Sequence, residues 1–280
     1  MGTVALADVS FLPVGREEIR RYFQRILEAA EREWRVAEEA RKKGLDPEPF
    51  VEIKATARMS ERAEALLGIP GFSDVYEKVF AETRDQFKSA LRIMELIAAG
   101  DLGNFKNIED RILYALRAAI MVYTQAVVAA PIEGITDAKV LENSDGTKYL
   151  AVYFAGPIRS AGGTAAGLTL LLADYLRTKL GLDRWKPSER ELARWVEETS
   201  LYFKVYSRQY TPSKKELEVV YRNIPVRPDG EPTEDFEVSV NRDLPGIPNR
   251  VRGGLAISVG ESLLLKAKKI AKIAKKIGLN

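Results

Sequence analysis

Apolar residues in the first half of the chain recur every three or four positions, which places them on one face of an α-helix. Over residues 16–43 that face carries Ile19, Phe23, Ile26, Leu27, Ala30, Trp34 and Ala37. Gly44 follows and predicts the end of the helix. The same spacing predicts helices over residues 60–68, 73–100 and 108–129. Ser60 and Ser73 are the expected caps of the first two, and residues 50–55 are expected to be extended.

The pattern changes after Pro131, where apolar and polar residues alternate as they do in half-buried β-strands. Strands are predicted over residues 135–141 and 149–154, joined by a turn at residues 143–146 (NSDG). The pairs Ser188 with Glu191 and Ser213 with Glu216 have the spacing of capping boxes, which predicts two helix starts. Toward the end of the chain we expect short strands at residues 224–226 and 236–240 around a turn at 227–230, a loop over 241–252, an apolar segment at 254–259 and a lysine-rich helix.

These elements predict an α+β fold, in which an all-helical half is followed by a half with a small mixed sheet. The boundary is expected near residue 130. No apolar run approaches the ~20 residues needed to cross a bilayer, and the N-terminus lacks the basic start and cleavage site of a signal peptide. We therefore expect a cytoplasmic protein with no membrane partner.

Composition narrows the possible chemistry, because neither cysteine nor histidine occurs in the 280 residues. Disulfides, zinc sites built from these residues and catalysis by a histidine-containing triad are excluded. The net charge is only +3, but six lysines and no acidic residue fall within residues 266–280. Without them, 37 basic residues stand against 40 acidic ones. Any surface for nucleic acid must therefore be a local patch.

A glycine-rich loop, residues 156–164, lies between the second predicted strand and a predicted helix that runs to about residue 180. Gly162 and Gly163 allow close approach of the backbone to a ligand, and Thr164 can cap the helix. The free amides of a helix N-terminus attract anions, and Arg159 adds a guanidinium suited to phosphate. The spacing matches neither the Walker nor the dinucleotide pattern. A tight strand-to-helix turn without a ligand is therefore the alternative.

Two further segments carry clustered positive charge. Residues 249–254 (NRVRGG) place Arg250 and Arg252 beside two glycines, which favours contact with phosphate or with carboxylates. The alternative is a surface loop whose arginines pair with Glu231, Glu234 or Asp235. The terminal helix carries Lys266, Lys268, Lys269, Lys272, Lys275 and Lys276. These lysines favour DNA or an acidic partner, unless they serve only to solvate the helix. No Asp-x-Asp pair occurs, so we expect no catalytic residue and no metal ligand.

Residues 153–165 (YFAGPIRSAGGTA) resemble the signature stretch of the large subunit of archaeal family D DNA polymerases. Further blocks resemble this family in the same order: residues 130–135 (APIEGI), 180–184 (LGLDR), 186–189 (KPSE), 230–234 (GEPTE), 242–245 (RDLP) and 249–254 (NRVRGG). The resemblance extends over residues 130–270 and is looser in the helical half, where it depends mainly on residues 67–71 (LGIPG). Phe203 departs from the family, which commonly has histidine there.

The resemblance implies the N-terminal, non-catalytic region of a replicative polymerase subunit that pairs with a small exonuclease subunit. The family's nucleotidyl-transfer site, with its aspartate-rich motif and magnesium, lies in β-barrels beyond this region. We therefore expect this chain alone to be inactive and to hold no cofactor. The family's N-terminal region contains a helical part and a part likened to a KH module, and it is implicated in DNA binding and subunit assembly.

Together these observations predict that residues 1–130 serve assembly with the small subunit and the remainder of the large subunit, while residues 131–280 bind DNA. The predicted ligands of DNA phosphates are Arg159, Ser160, Gly162, Gly163, Thr164, Arg250, Arg252, Lys268, Lys269 and Lys272. The three arginines are expected to converge on the helix start at Thr164 as one phosphate cradle. Two alternatives stay open: a small-molecule kinase whose loop at residues 156–164 holds a nucleotide, and a scaffold that binds only protein.

Overall fold

The computed structural model of the chain describes residues 16–45, 56–126, 129–206 and 209–279. The chain divides into two compact units, Met1–Lys54 and Ala55–Asn280. The first unit contains helix α1, Glu17–Lys42, which confirms the helix predicted from the apolar spacing. Gly44 follows it with a φ of +69°, a left-handed conformation that ends the helix. The predicted extended segment at residues 50–55 lies outside the described residues.

The second unit begins with four helices: α2 (Met59–Leu67), α3 (Phe72–Thr83), α4 (Gln86–Ala99) and α5 (Ile108–Tyr123). The single helix predicted over residues 73–100 is wrong, because Arg84 takes a φ of +48° and interrupts it. The carboxylate of Asp85 then caps α4 by accepting a 2.9 Å hydrogen bond from the amide of Lys88. The caps predicted at Ser60 and Ser73 are also wrong. Both serines lie inside helices, and their buried hydroxyls are 2.9 Å apart and hydrogen-bonded.

The sheet has three strands in the order β1-β2-β3. Strands β1 (Ile135–Glu142) and β2 (Lys148–Phe154) pair antiparallel, which confirms the predicted hairpin. Strand β3 (Arg227–Gly230) pairs parallel to β2, although its residues were predicted to form a turn. Pro228 is tolerated there because β3 is an edge strand. The strand predicted at residues 236–240 is not formed. In its place, Glu237 makes an isolated bridge with Arg250.

Helices surround the sheet in the second half of the chain: α6 (Ala130–Gly134), a 3-10 helix (Gly156–Ala161), α7 (Ala165–Lys179), α8 (Glu189–Val205), α9 (Lys214–Asn223), α10 (Gly253–Ile257), a π-helix (Ser258–Leu264) and α11 (Ala267–Lys276). Both predicted capping boxes are confirmed. The hydroxyl of Ser188 accepts from the amide of Glu191 at 3.2 Å, and that of Ser213 accepts from the amide of Glu216 at 3.3 Å. None of the described helices has the length and apolarity of a membrane span.

The core of the second unit joins its helical part to its sheet. Helix α5 packs against β1 on one side and against α7 on another, and a single cluster of buried apolar residues extends from Ala63 to Ile270. The α+β fold class is therefore confirmed. Helices α2–α5 belong to the same compact unit as the sheet, so the chain does not divide near residue 130. The division of labour between residues 1–130 and 131–280 stays a prediction about function, as does the likeness to a KH module.

Candidate nucleic-acid interface

The glycine-rich loop leaves strand β2 after Phe154 and enters helix α7 at Ala165. Gly162 takes a φ of +103°, a conformation that residues with a side chain rarely adopt. Its carbonyl accepts a 3.0 Å hydrogen bond from the amide of Ala165 and so fixes the start of α7. Arg159, Ser160, Gly162 and Gly163 are exposed. The loop therefore presents one guanidinium, one hydroxyl and the backbone of two glycines to the surface.

Three glycines hold the beginning of this loop in place. A Cβ atom on Gly230 would lie 2.6 Å from the carbonyl oxygen of Phe154, and a Cβ on Gly254 would approach the same oxygen more closely still. A Cβ on Gly134 would collide with the backbone of Ile158. Each approach is between two backbones, so neither side can move away at low cost. The loop is thus anchored from α6, β3 and α10.

The start of α7 is partly satisfied from within the protein. Thr164 occupies the N-cap position, but its side chain makes no capping hydrogen bond, so that part of the prediction is wrong. The amide of Gly167 donates to the hydroxyl of Ser262, at 2.6 Å. Fewer amides are therefore free for an anion than the sequence alone indicates, and side-chain cations carry more of the site.

Helix α11 lies against the glycine-rich loop, although the two are about a hundred residues apart in sequence. The ammonium of Lys269 donates to the hydroxyl of Thr164 at 3.2 Å. The Cε atom of Lys266 lies 3.3 Å from the position of a Cβ on Gly163. Among the described residues, Lys266, Lys268, Lys269 and Lys272 have no ion pair. The loop and the lysine-rich helix, which sequence analysis treated as separate features, therefore form one basic surface.

Arg159 is both paired and accessible. Its Nε donates to Glu261 at 2.9 Å, and its side chain stays 49% exposed while that of Glu261 is 10% exposed. Glu261 belongs to the π-helix, and its second carboxylate oxygen is buried without a partner among the described residues. π-Helical segments occur frequently at functional sites. Because about half of its side chain is exposed, Arg159 can contact a phosphate at the rim of the loop.

Arg250 forms an ion pair with Asp235, one of the acidic partners named as the alternative to phosphate. Its side chain is 49% exposed and donates to the carbonyl of Glu234 at 2.9 Å and to the carboxylate of Asp235 at 3.2 Å. This binds residues 249–252 to the segment after β3. The guanidinium points to those two residues, and no contact with Thr164 or Arg159 is formed.

Arg252 is a correction to the predicted phosphate ligands, because its side chain is buried. Its guanidinium donates to both carboxylate oxygens of Glu198, at 2.9 and 2.7 Å, and to Asp229 at 2.5 Å. It also lies over the ring of Trp195, 4.5 Å from the centroid. Burial acts to lower the pKa of Arg252, but the two carboxylates outweigh it and raise the pKa above its ordinary value. A permanently charged and fully paired guanidinium in the core has no access to DNA.

The cradle predicted from three arginines is therefore not formed. Arg159 and the loop meet the lysines of α11 instead, while Arg252 enters the core. Sequence reasoning missed Lys266, Glu261 and Ser262 as neighbours of the loop. No local signal could have found them, since their proximity depends on how α11 and the π-helix pack against α7.

A metal does not fit the described part of the chain. Among the described residues no group of three or more Asp or Glu side chains is placed to hold an ion. The magnesium expected of a parent polymerase therefore has no ligand set here.

Comparison with known proteins gives a consistent result. The family model described as "DNA polymerase II large subunit DP2, N-terminal" matches residues 21–280. The chain is 41% identical over 268 residues to the DNA polymerase II large subunit of Methanococcoides burtonii, a match that covers 95% of this chain and 23% of that protein. It is 42% identical over 268 residues to the Pyrococcus furiosus large subunit, covering 94% and 21%. For Archaeoglobus fulgidus the identity is 42% over 264 residues, covering 94% and 23%. The chain thus spans about a fifth of the length of these relatives.

Proposed function

Since the chain belongs to the DNA polymerase II large subunit family and matches its N-terminal region, we propose that it holds DNA by backbone phosphates and supports assembly of the polymerase, without carrying the active site itself. One observation supports the DNA-binding part above all others. The contact between Lys269 and Thr164 joins the glycine-rich loop to the lysine-rich helix in a single basic surface.

The chemistry of this surface suits phosphate. Lys266 and Lys269 lie against the exposed loop, Lys268 and Lys272 are exposed on the same helix, and Arg159 adds a guanidinium. The N-terminus of α7 adds a partial positive charge. Such groups position nucleic acid without reading its sequence. The binding is therefore independent of DNA sequence and weakens as salt rises, because each neutralised phosphate releases counterions.

Replacing Lys269 with alanine is expected to weaken binding to every DNA sequence tested. It should reduce the slope of log affinity against log salt by roughly one, because about one phosphate contact is lost. Lys269 is exposed, so the free energy of unfolding should change by no more than about 0.5 kcal/mol. Fluorescence anisotropy with labelled duplexes over a salt series measures the affinity for DNA and its dependence on salt. Arg159→Ala is a less clean test, because Glu261 loses its partner at the same time.

Lys215→Ala is the matched control, since Lys215 is an exposed lysine on α9, which belongs neither to the loop nor to α11. It should leave the affinity and the salt slope unchanged. Equal salt slopes for Lys269→Ala, Lys215→Ala and the unmodified chain would contradict the proposal and favour a scaffold that binds only protein. The kinase alternative is set aside, because the family to which the chain belongs is that of a polymerase subunit.

The assembly part of the proposal concerns the small exonuclease subunit and the remainder of the large subunit. It is supported by α1, in which no residue is buried within the described structure. Its apolar side chains are instead substantially exposed, with Phe23 at 38%, Ile26 at 45% and Trp34 at 53%. An apolar stripe on a 26-residue helix is suited to packing against another protein.

The double variant Phe23→Glu/Trp34→Glu is expected to weaken association with the cognate small subunit about tenfold or more, since aromatic residues contribute strongly to interfaces. Arg32→Glu, on the opposite face of α1, is the control and should bind as the unmodified chain does. Surface plasmon resonance measures the association, and circular dichroism checks that the helix is retained. Unchanged association of the double variant would remove α1 from the assembly surface.

A further inference from the structure

A second candidate surface is a groove beside helices α8 and α9. Helices α8 and α9 border a groove of about 570 Å³, here called the α8–α9 groove. Its floor contains the apolar side chains of Leu192 and Val196, and Val240 lies at its rim. The groove is independent of the residues used in the proposed function.

The rim of the groove is held in a fixed conformation by Glu197. Its carboxylate accepts hydrogen bonds from the amides of Ser239, Val240 and Asn241 at 2.8, 2.8 and 2.7 Å. Burial acts to raise the pKa of Glu197, but these amide hydrogen bonds outweigh it and lower the pKa to about 2. The carboxylate is therefore charged at neutral pH and holds the segment firmly. As a result, Val240 is presented to solvent with 80% of its surface exposed.

The charges along the groove favour a protein segment over DNA. Glu189 at the start of α8 pairs with Arg222 at the end of α9 at 2.7 Å, so the helices run antiparallel and Lys204 and Lys214 lie at the opposite end. Neither lysine has an ion pair among the described residues. Glu189, Glu197 and Glu218 also line the groove. A continuous phosphate backbone would meet these carboxylates along its length, whereas a single carboxylate can lie at the end beside Lys204 and Lys214.

We propose that the α8–α9 groove docks a segment of a protein partner. The segment places an aliphatic side chain between Val196 and Val240 and directs a carboxylate to Lys204 and Lys214. The partner is thus recognised by an aliphatic residue followed or preceded closely by Asp or Glu.

A phage-displayed library of random linear peptides, selected against the immobilised full chain, tests this proposal. Enriched peptides should combine an aliphatic residue with a nearby acid. Their binding should weaken at least tenfold for Ala193→Arg, which fills the groove from an exposed position of α8, and for Lys204→Glu/Lys214→Glu. Ala81→Arg makes the same change at an exposed position of α3 and should bind the peptides normally.

The alternatives give different results. Failure to enrich peptides, enriched peptides without an acid, or equal binding to Ala193→Arg would each overturn the proposal. So would a loss of duplex DNA affinity in Ala193→Arg, which would assign the groove to nucleic acid. A self-association of the unmodified chain that Ala193→Arg abolishes, measured by light scattering, would assign it to a second copy and likewise overturn the proposal.

Discussion

Arg252→Ala is expected to lower the free energy of unfolding by about 3 kcal/mol, because two buried carboxylates lose charged hydrogen bonds and a large buried side chain is removed, although Arg194 still pairs with Glu198 and Arg227 with Asp229. Glu198 is fully buried and receives two of its hydrogen bonds from the guanidinium of Arg252. Asp229 is 3% exposed and loses a 2.5 Å partner. The stacking of the guanidinium on Trp195 is lost as well. Denaturant unfolding followed by tryptophan fluorescence measures the difference.

Arg250→Ala is the matched control, two residues earlier in the same segment. Its ion pair with Asp235 joins a half-exposed guanidinium to a fully exposed carboxylate. Such pairs contribute no more than about 1 kcal/mol. Similar small losses for both variants would mean that the buried cluster does not stabilise the fold. A normal free energy of unfolding for Arg252→Ala together with weakened DNA binding would restore the original prediction of a phosphate ligand.

Gly254→Ala is expected to destabilise the chain by about 3 kcal/mol or more, at the upper end of what overpacking usually costs. Its added Cβ would collide with the carbonyl of Phe154, and Gly230 faces the same carbonyl from β3. Strand β2 and helix α10 would have to separate at the point where the glycine-rich loop begins. The variant should therefore also weaken DNA binding, although Gly254 itself is buried.

Gly156→Ala is the control for that effect. Gly156 lies in the same loop, its φ is not positive, and no atom lies within 4 Å of an added Cβ. Alanine there should be neutral or stabilising by up to about 1 kcal/mol, because the unfolded chain loses freedom. Thermal unfolding of the two variants side by side tests the prediction. If the two variants have the same melting temperature, the close packing of the backbones at Gly254 and Phe154 does not contribute to stability.

Local signals predicted the elements whose hydrogen bonds close within a few residues. The capping boxes at Ser188 and Ser213, the hairpin of β1 and β2, and the helix ended by Gly44 are all confirmed. Each depends on a side chain or a turn that satisfies backbone groups three or four residues away. Such groups are close whatever the rest of the chain does, so the amino-acid order is sufficient.

Residues 227–230 illustrate the limit of local signals. The sequence Arg-Pro-Asp-Gly has the composition of a turn, yet it forms β3. Arg227 pairs with Asp229 at 2.6 Å and with the hydroxyl of Tyr149 at 3.1 Å, and Asp229 accepts from Arg252. The parallel pairing with β2 and this buried cluster outweigh the local preference for a turn. Strand propensity depends strongly on such surroundings.

The order of residues by itself determined the family, the α+β class, the starts of α8 and α9 and the glycine-rich loop as the entrance to α7. Each of these depends on motifs or on hydrogen bonds between near neighbours. Tertiary structure decided which positive charges face solvent. Arg252 is drawn into the core by Glu198 and Asp229, which lie 54 and 23 residues away. Lys269 reaches Thr164 across 105 residues because α11 packs against α7. Burial and pairing of charges depend on partners that are distant in sequence, and only the packed core brings those partners together.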